Sequence, residues 1–249
     1  MPMNDMQASY DLLLVALSYL VSVFGAYTSL RLALRMKTAE AGAKLYWLTG
    51  AALAMGGGAI WAMHFIGMLA FKMSMPVQYD LGLTLLSMVL AMVVTGVGLW
   101  IVGQGSAGFG RLIASGVFMG LGVAGMHYLG MYAMRMPASL VYNQTLVALS
   151  LVIAVVAGTA ALWLAFNMQG TWKQVGSALV MGAAVCGMHY TGMAAATMQP
   201  NDQFIPLDPT GLTGDDLAFY VSIAAVAMLA ILLFTTLREK IFAQPLYKS

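Results

Sequence analysis

Long runs of apolar residues, separated by short polar connections, make up most of the chain. Seven windows contain about 20 or more mostly apolar residues, enough for a helix to cross a hydrocarbon core of roughly 30 Å. We place these predicted helices at residues 12–34, 46–71, 81–103, 112–134, 144–167, 175–198 and 218–237. The first window follows no basic segment and is too long for a signal-peptide core, so we expect it to remain as a spanning helix.

Composition supports this interpretation. Hydrophobic residues are 61% of the chain and charged residues only 8%, whereas soluble domains contain roughly 25% charged residues. The connections leave no room for a soluble domain. The sequence predicts an all-α integral membrane bundle of seven transmembrane helices in the lipid bilayer. It occupies residues 1–240 as a single domain, and residues 241–249 form a short cytoplasmic tail.

The basic residues predict the orientation of the bundle. The chain has 11 lysines and arginines, and only Lys72 and Arg135 lie in loops on one side. Because basic residues in short loops stay in the cytoplasm, we expect the N-terminus outside and the C-terminus inside. The basic residues assigned to the inner side are Arg31, Arg35, Lys37, Lys44, Arg111, Lys173, Arg238, Lys240 and Lys248.

The helices repeat in pairs with a period of about 63 residues. His64, His127 and His189 are the three histidines of the chain, and each lies toward the end of an even-numbered helix. Because the unit is two helices, all copies cross the membrane in the same direction and form parallel repeats. We place the repeats at about 10–76, 79–137 and 142–200. The seventh helix, at 218–237, resembles a fourth half-unit.

A tyrosine followed by Asp or Asn precedes each odd-numbered helix of the three repeats, at 10–11, 79–80 and 142–143. Asp and Asn are favoured helix N-caps, and tyrosine is enriched at membrane interfaces. We interpret these pairs as the points where odd-numbered helices begin at the outer face. A role for the tyrosines around a binding site is the second interpretation.

The histidines lie in three copies of one heptapeptide: AMHFIGM at 62–68, GMHYLGM at 125–131 and GMHYTGM at 187–193. In each copy a methionine four residues after the histidine shares its helix face. A glycine seven residues before each histidine, at Gly57, Gly120 and Gly182, favours close helix packing. The pattern predicts that the three helices bring imidazoles and thioethers together at one level, near the outer face.

Imidazole and thioether donors without carboxylates favour copper, and Cu(I) above all, because these donors are soft and a monovalent ion is less costly to bury. Zinc bound through the histidines alone stays open. Cys186 is the only cysteine, so there is neither an intrachain disulfide nor a thiolate cluster. The competing interpretation is structural: histidine as a hydrogen-bonded packing residue and methionine as core filler. Against it, ionisable residues inside spanning helices tend to be functional.

The third heptapeptide contains Met-His-Tyr-Thr at 188–191, and the chain from residue 10 to 240 resembles the bacterial MHYT domain family of integral-membrane sensors. The resemblance implies a multi-pass protein of the cell (inner) membrane. It also implies copper bound near the outer face to sense a diatomic gas such as nitric oxide, oxygen or carbon monoxide. Finally, it implies signalling to a cytoplasmic output protein or fused domain that makes or degrades cyclic di-GMP.

Carried over to this sequence, the family pattern assigns metal ligands and further cofactor-binding residues. Phe65 departs from the pattern because it replaces the tyrosine of the first motif, which removes a phenol from that helix. The implied metal ligands are His64, Met68, His127, Met131, His189 and Met193. The implied cofactor-binding residues are Met63, Met126, Met188, Tyr128 and Tyr190.

Two other functions remain open from the residues: a copper-ion transporter or channel in which the methionines form a ladder, and a haem-binding electron-transfer protein. Haem is disfavoured because three equivalent histidines at one level are a poor match for paired axial ligands. We expect the chain not to be an enzyme, since it has neither a paired-carboxylate site nor a phosphate-binding loop. We expect no nucleic-acid partner, and the sequence leaves the oligomeric state open.

Overall fold

The computed structural model describes residues 9–73, 75–104, 108–200 and 212–242. Within them, six helices are long and apolar enough to cross a membrane, which confirms the helical membrane bundle. They are α1 (Leu12–Thr38), α2 (Ala41–Ala70), α3 (Leu81–Gly103), α4 (Phe109–Tyr132), α5 (Gln144–Asn167) and α6 (Thr171–Ala195). A further helix, α7, follows at Gly214–Phe242. Its membrane crossing and the orientation of the bundle stay predictions.

The hydropathy windows match α3 and α5, but α1 ends four residues after its window, and α7 begins four residues before and ends five residues after its own. The even-numbered helices differ at both ends. These begin at Ala41, Phe109 and Thr171, up to five residues before the predicted starts, because the windows omit interfacial polar residues that are nevertheless helical. Helix α2 is also irregular. Its middle, Leu53–Ala62, is a π-helix between two α-helical parts, Ala41–Ala52 and Met63–Ala70. The apolar pattern did not predict this segment.

In each repeat, a short strand before the odd-numbered helix pairs with a short strand after the even-numbered helix. The all-α prediction did not include these strands. Residues 71, 134 and 196–198, which hydropathy assigns to helices, belong to these strands, because each helix has already ended. The antiparallel pairs are β1 (Ser9–Tyr10) with β2 (Phe71–Lys72), β3 (Gln78–Tyr79) with β4 (Met134–Arg135), and β5 (Ala138–Tyr142) with β6 (Ala196–Pro200). The other edge of β3 pairs with β7 (Leu212–Thr213).

The residues predicted to cap the odd-numbered helices do so. Asp11 and Asn143 each accept two backbone N–H bonds from the first helical turn, and Asp80 accepts one from Leu83 at 3.0 Å. Their own N–H groups donate at 2.8–2.9 Å to the carbonyls of Ala70 and Ala195, the last residues of α2 and α6, and of Ala133, the residue that follows α4. Each cap therefore fixes the start of one helix against the end of its partner.

Six helices form a closed ring in which each odd-numbered helix packs between two even-numbered ones. Helix α1 closes the ring between α2 and α6, while α7 packs outside it against α1 and α2. Glycines allow the close approaches: a methyl group at Gly56 would lie 2.6 Å from the Ala91 carbonyl, and one at Gly120 would lie 2.5 Å from the Ala154 carbonyl. The ring explains why α2, which α7 also covers, is the most buried of the six helices.

The glycine of the first repeat needs a correction. Gly56, eight residues before His64, makes the contact that Gly120 makes from seven residues before His127. The seven-residue spacing of the other repeats predicts Gly57 for this contact. A π turn contains about one residue more than an α turn, so the π-helical segment absorbs the extra residue before the helix reaches its histidine.

Candidate metal centre

The three histidines meet on the axis of the ring, as the repeat predicted. The Nδ1 atom of His64 lies 3.0 Å from that of His127 and 3.1 Å from that of His189, and the remaining pair is 3.3 Å apart. Each of the three side chains is completely buried. We call these residues the His triad.

Three nitrogen atoms this close cannot all be hydrogen-bonded to one another. A neutral imidazole Nδ1 is either a donor or an acceptor. Each of the three Nδ1 atoms is therefore either a donor or an acceptor, so at least two of them must be of the same kind. Those two atoms face each other with two lone pairs or with two N–H groups and cannot form a hydrogen bond. A cation among the three nitrogens, approached by three lone pairs, removes this conflict. The His triad therefore has the electrostatics of a cation site.

The spacing also suits a small metal ion. Nitrogen ligands at about 2.0–2.1 Å from an ion lie roughly 3.3–3.6 Å apart in tetrahedral or trigonal geometry, only a few tenths of an ångström wider than observed. Three neutral imidazoles suit copper and zinc, whereas carboxylate and carbonyl oxygens suit the harder cations. Among the described residues, this is the cluster of histidine, cysteine or acidic side chains that could hold a metal.

Each imidazole is held by the glycine of a neighbouring heptapeptide. A Cβ at Gly67 would collide with Nε2 of His189, one at Gly130 with His64, and one at Gly192 with His127. The three contacts form a cycle in which every histidine rests on the backbone of another even-numbered helix. The three Nε2 atoms are buried and have no hydrogen-bond partner among the described residues. The glycines therefore hold the rings with Nδ1 toward the axis.

All six methionines of the heptapeptides are buried, but they surround different spaces. Met68 lines a pocket on the side of the strands, and Met188 lines a cavity on the opposite side of the His triad. Met63, Met126, Met131 and Met193 belong to the core. Ligation by the thioethers stays a prediction.

The aromatic residue after each histidine connects the site to the strands. Phe65, Tyr128 and Tyr190 each contact their neighbouring imidazole with ring centroids 4.8 Å apart. Their opposite edges contact the tyrosines that precede odd-numbered helices, at 5.6–5.9 Å: Tyr79, Tyr142 and Tyr10 respectively. Three aromatic columns thus lead from the His triad to the strand end of the bundle, which supports the second interpretation of these tyrosines.

The hydroxyls of the motif tyrosines point to serines. Tyr128 bonds to Ser150 at 2.7 Å, and Tyr190 bonds to Ser18 at 2.9 Å. Because both serine hydroxyls donate to backbone carbonyls three residues earlier, the tyrosines must donate. Their assignment as cofactor-binding residues stays a prediction.

In the first repeat, where Phe65 has no hydroxyl, another residue supplies the missing donor. The Trp61 indole N–H lies 3.1 Å from both Ser87 Oγ and the Thr84 carbonyl. The motif comparison did not identify Trp61 because it lies outside the heptapeptide. The helical spacing of four residues between Trp61 and Phe65 was the available signal, since such residues share a face.

At the strand end, two of the repeats carry an ion pair. Lys72 lies 3.7 Å from Asp11, and Arg135 pairs with Asp80. The pKa of Asp80 lies below its ordinary value because the Leu83 N–H and then Arg135 stabilise the carboxylate. In the third repeat the corresponding residues, Asn143 and Thr197, are uncharged.

An apolar cavity of about 20 Å³ lies on the other side of the His triad. Its lining includes Ile60, Val123 and Val185, each four residues before a histidine, and thus one helical turn away. Three methionines that lie about one helical turn farther from the histidines, Met55, Met119 and Met181, also line this cavity. A volume above 10–15 Å³ admits a water-sized molecule, and an apolar lining favours an apolar one.

Sequence comparison finds that the chain is similar to bacterial signalling proteins. The MHYT family, described as "Bacterial signalling protein N terminal repeat", matches residues 57–115, 120–178 and 182–244. The third match reaches into α7, in agreement with α7 as a fourth half-unit. No solved structure matches the chain.

Curated relatives share most of this chain. The bifunctional diguanylate cyclase/cyclic di-GMP phosphodiesterase MucR of Pseudomonas aeruginosa is 43% identical over 93% of the chain and 34% of its own length. The signaling protein YkoW of Bacillus subtilis is 35% identical over 78% of the chain, and the cyclic di-GMP phosphodiesterase NbdA of P. aeruginosa is 34% identical over 76%. The chain spans about a quarter to a third of these relatives. It is a multi-pass protein of the bacterial inner membrane, and it belongs to the MHYT family.

Proposed function

We propose that this chain is a sensory module that binds copper through His64, His127 and His189 and signals a diatomic gas or a change of redox state to the cytoplasm. The observation that carries the proposal is the convergence of three buried Nδ1 atoms at 3.0–3.3 Å, which hydrogen bonding alone cannot satisfy. Three imidazoles leave a coordination position open for a further ligand. Zinc is the alternative ion.

Copper in this setting would supply an open coordination position and a one-electron redox change. Cu(I) is favoured because α2, α4 and α6 contain no acidic residue to balance a second positive charge. The buried thioethers of Met68, Met131 and Met193 lie one helical turn from the histidines and provide further soft donors.

The apolar cavity supports a gas as the signal. A diatomic molecule is apolar and close to water in size, and the cavity beside the His triad has the volume and lining that such a molecule requires. Nitric oxide, oxygen and carbon monoxide all meet these requirements, so the choice among them rests on the bound metal.

The contacts of the triad provide a route for the signal. Because each imidazole rests on a glycine of another helix, a shift of one ring displaces the backbone of its neighbour. Helix α7 packs against α2 next to the site, where Leu229 covers Gly58. We propose that α7 transmits the movement to a cytoplasmic output protein or domain acting in cyclic di-GMP signalling, as the names of MucR and NbdA indicate for those relatives.

Metal analysis of the purified chain tests the proposal. The wild-type chain should bind one copper per chain, and the H64A, H127A and H189A variants should each lose it. Because all three histidines of the sequence belong to the triad, every imidazole signal in X-ray absorption or nuclear magnetic resonance reports on this site. Absence of metal uptake by the wild-type chain, or uptake that the triple variant retains, would contradict the proposal.

A copper transporter is the second candidate, because methionines also lie on the side of the triad that faces away from the strands. Met55, Met119 and Met181 line one cavity about two helical turns from the histidines. Copper flux into proteoliposomes distinguishes the two functions: a sensor binds the ion without moving it, and a transporter accumulates it in the lumen.

Haem and enzymatic chemistry receive less support. The imidazoles pack too closely to admit a macrocycle between them, and a Soret band in the loaded protein would contradict this view. We propose that the chain detects and signals rather than catalyses.

A further inference from the structure

A pocket of about 360 Å³ opens at the strand end of the bundle, where β2, β3 and the start of α7 meet. Three methionines, Met68, Met73 and Met75, line it together with Gln78, Tyr79 and Asp215. We call it the methionine pocket. Met68 belongs to the core and lies one helical turn from His64, whereas Met73 and Met75 belong neither to the core nor to the heptapeptide.

Met68 connects the methionine pocket to the site. Its side chain is 1% exposed and lies at the buried end of the pocket, whereas Met73 and Met75 are only half-buried. Met68 and His64, four residues apart in an α-helix, share one face with Cβ atoms roughly 5–6 Å apart. The pocket therefore leads from solvent-accessible thioethers to a ligand of the triad.

The chemistry of the pocket suits a soft monovalent cation. Thioethers are neutral, polarizable donors that prefer Cu(I) to hard cations. Two charged side chains, Lys72 and Asp215, belong to the lining, and their charges balance. The Lys72 ammonium also lies 3.7 Å from Asp11, so the pocket has no excess of positive charge to oppose a cation.

The other two repeats do not repeat this arrangement. Met136 and Met198 follow their histidines by nine residues, as Met73 does, but neither lines the pocket. Met136 is 4% exposed, and Met198 lies in β6 opposite Leu140. Where the first repeat has Met75, the others have Ala138 and Pro200. Duplication therefore does not account for the pocket.

We propose that Met73 and Met75 capture Cu(I) at the strand end of the bundle and that Met68 passes it to His64. The proposal rests on copper binding by the His triad. It adds a loading route through the first repeat alone, and it predicts that the pocket controls the rate of loading but not the final occupancy.

The test measures loading kinetics of the full chain in detergent. Cu(I) is supplied without oxygen as its bathocuproine disulfonate complex, and the loss of absorbance of that complex reports transfer. The M73L/M75L variant should load about tenfold more slowly than wild type, as for an activation barrier raised by about 1.4 kcal/mol, and reach the same stoichiometry. The matched control M136L/M198L should load like wild type. Met-to-Leu changes conserve volume, and thermal melting checks that each variant is folded.

The outcomes separate the two proposals. Equal rates for wild type and M73L/M75L would overturn the loading route while leaving the triad as a copper site. If the wild-type chain takes up no Cu(I), the proposed function fails, and titration of the H64A/H127A/H189A variant with Ag(I) tests the pocket by itself. Silver binding that disappears with M73L/M75L supports the pocket, and absence of silver binding overturns it.

Discussion

The first repeat and the other two bring their histidines to the same point by different local structures. In the first, α2 has a π-helical segment and one extra residue between Gly56 and His64, while α4 has seven-residue spacing between Gly120 and His127. Trp61 replaces the hydroxyl that Tyr128 supplies in the second repeat. Even so, the Nδ1 separations differ by only 0.3 Å, from 3.0 to 3.3 Å.

This comparison shows which parts of the repeat tolerate change. The contacts between imidazoles and glycines are the same in all three copies. The first repeat differs in the π-helical segment of the helix that carries His64 and in the hydrogen bond to the serine, which comes from Trp61. Each departure comes with a compensation nearby: a π turn for the extra residue, and an indole N–H for the missing phenol. All three repeats share the capped helix pair, but only the cycle of imidazoles and glycines keeps the same local contacts in each copy.

The largest effect should come from the glycines of the cycle. Gly67→Ala, Gly130→Ala and Gly192→Ala each introduce a methyl group that collides with an imidazole, so each should lower the free energy of unfolding by about 1–3 kcal/mol and reduce metal occupancy. Thermal melting and metal analysis measure both.

Gly187→Ala is the matched control, because a Cβ there has nothing within 4 Å. Loss of metal in one glycine variant but not in the other two would show that the three imidazoles are not equivalent.

Deletion of Gly57 tests the π-helical segment. It gives the first repeat the seven-residue spacing between Gly56 and His64, so we expect metal binding to survive. The narrower helix should loosen the contact between Gly58 and Leu229 and cost about 1–2 kcal/mol through the space left beside α7. Metal stoichiometry and thermal melting are the measurements. Loss of the metal would mean that the π turn itself positions His64.

Trp61→Phe should be more costly than loss of either tyrosine hydroxyl. The indole N–H serves two acceptors in a buried setting, so its removal should destabilise by about 1–3 kcal/mol, against about 0.5–1.5 kcal/mol for Tyr128→Phe or Tyr190→Phe. Tyr132→Phe is the control, since Tyr132 is 74% exposed. Equal melting temperatures for Trp61→Phe and wild type would refute the compensation.

The smallest effect concerns pH at the strand end. The pKa of Asp80 is lowered by the Leu83 N–H and by Arg135, so its contribution to stability is complete above its ordinary pKa of 3.8 and is lost as pH falls through the lower folded value. Asp80→Asn should remove less than about 1 kcal/mol at neutral pH and flatten the acid dependence of melting.

The Asn143 cap of the third repeat has no carboxyl group, so Asn143→Asp should add an acid-dependent component to melting. An unchanged pH profile for Asp80→Asn would indicate that another carboxylate controls acid stability.

Much of the site followed from the sequence because its signals are local. Helical periodicity placed each histidine on a face with the methionine four residues later, and the 63-residue period placed the three at one level. The roles of Gly67, Gly130 and Gly192 were not recognised, although these glycines lie in the heptapeptides. Their function depends on contact with another repeat, and no pattern within one helix encodes it.

The sequence by itself determined that the protein crosses a membrane, that it is built from two-helix repeats and that three imidazoles share a level, because hydropathy and periodicity are properties of single helices. Only the tertiary structure decided that α1 rather than α7 closes the ring, that Gly56 replaces Gly57, and that the rings face one another through Nδ1. Those features depend on which backbones approach within contact distance. Close packing between helices selects one arrangement among several that the same apolar pattern allows.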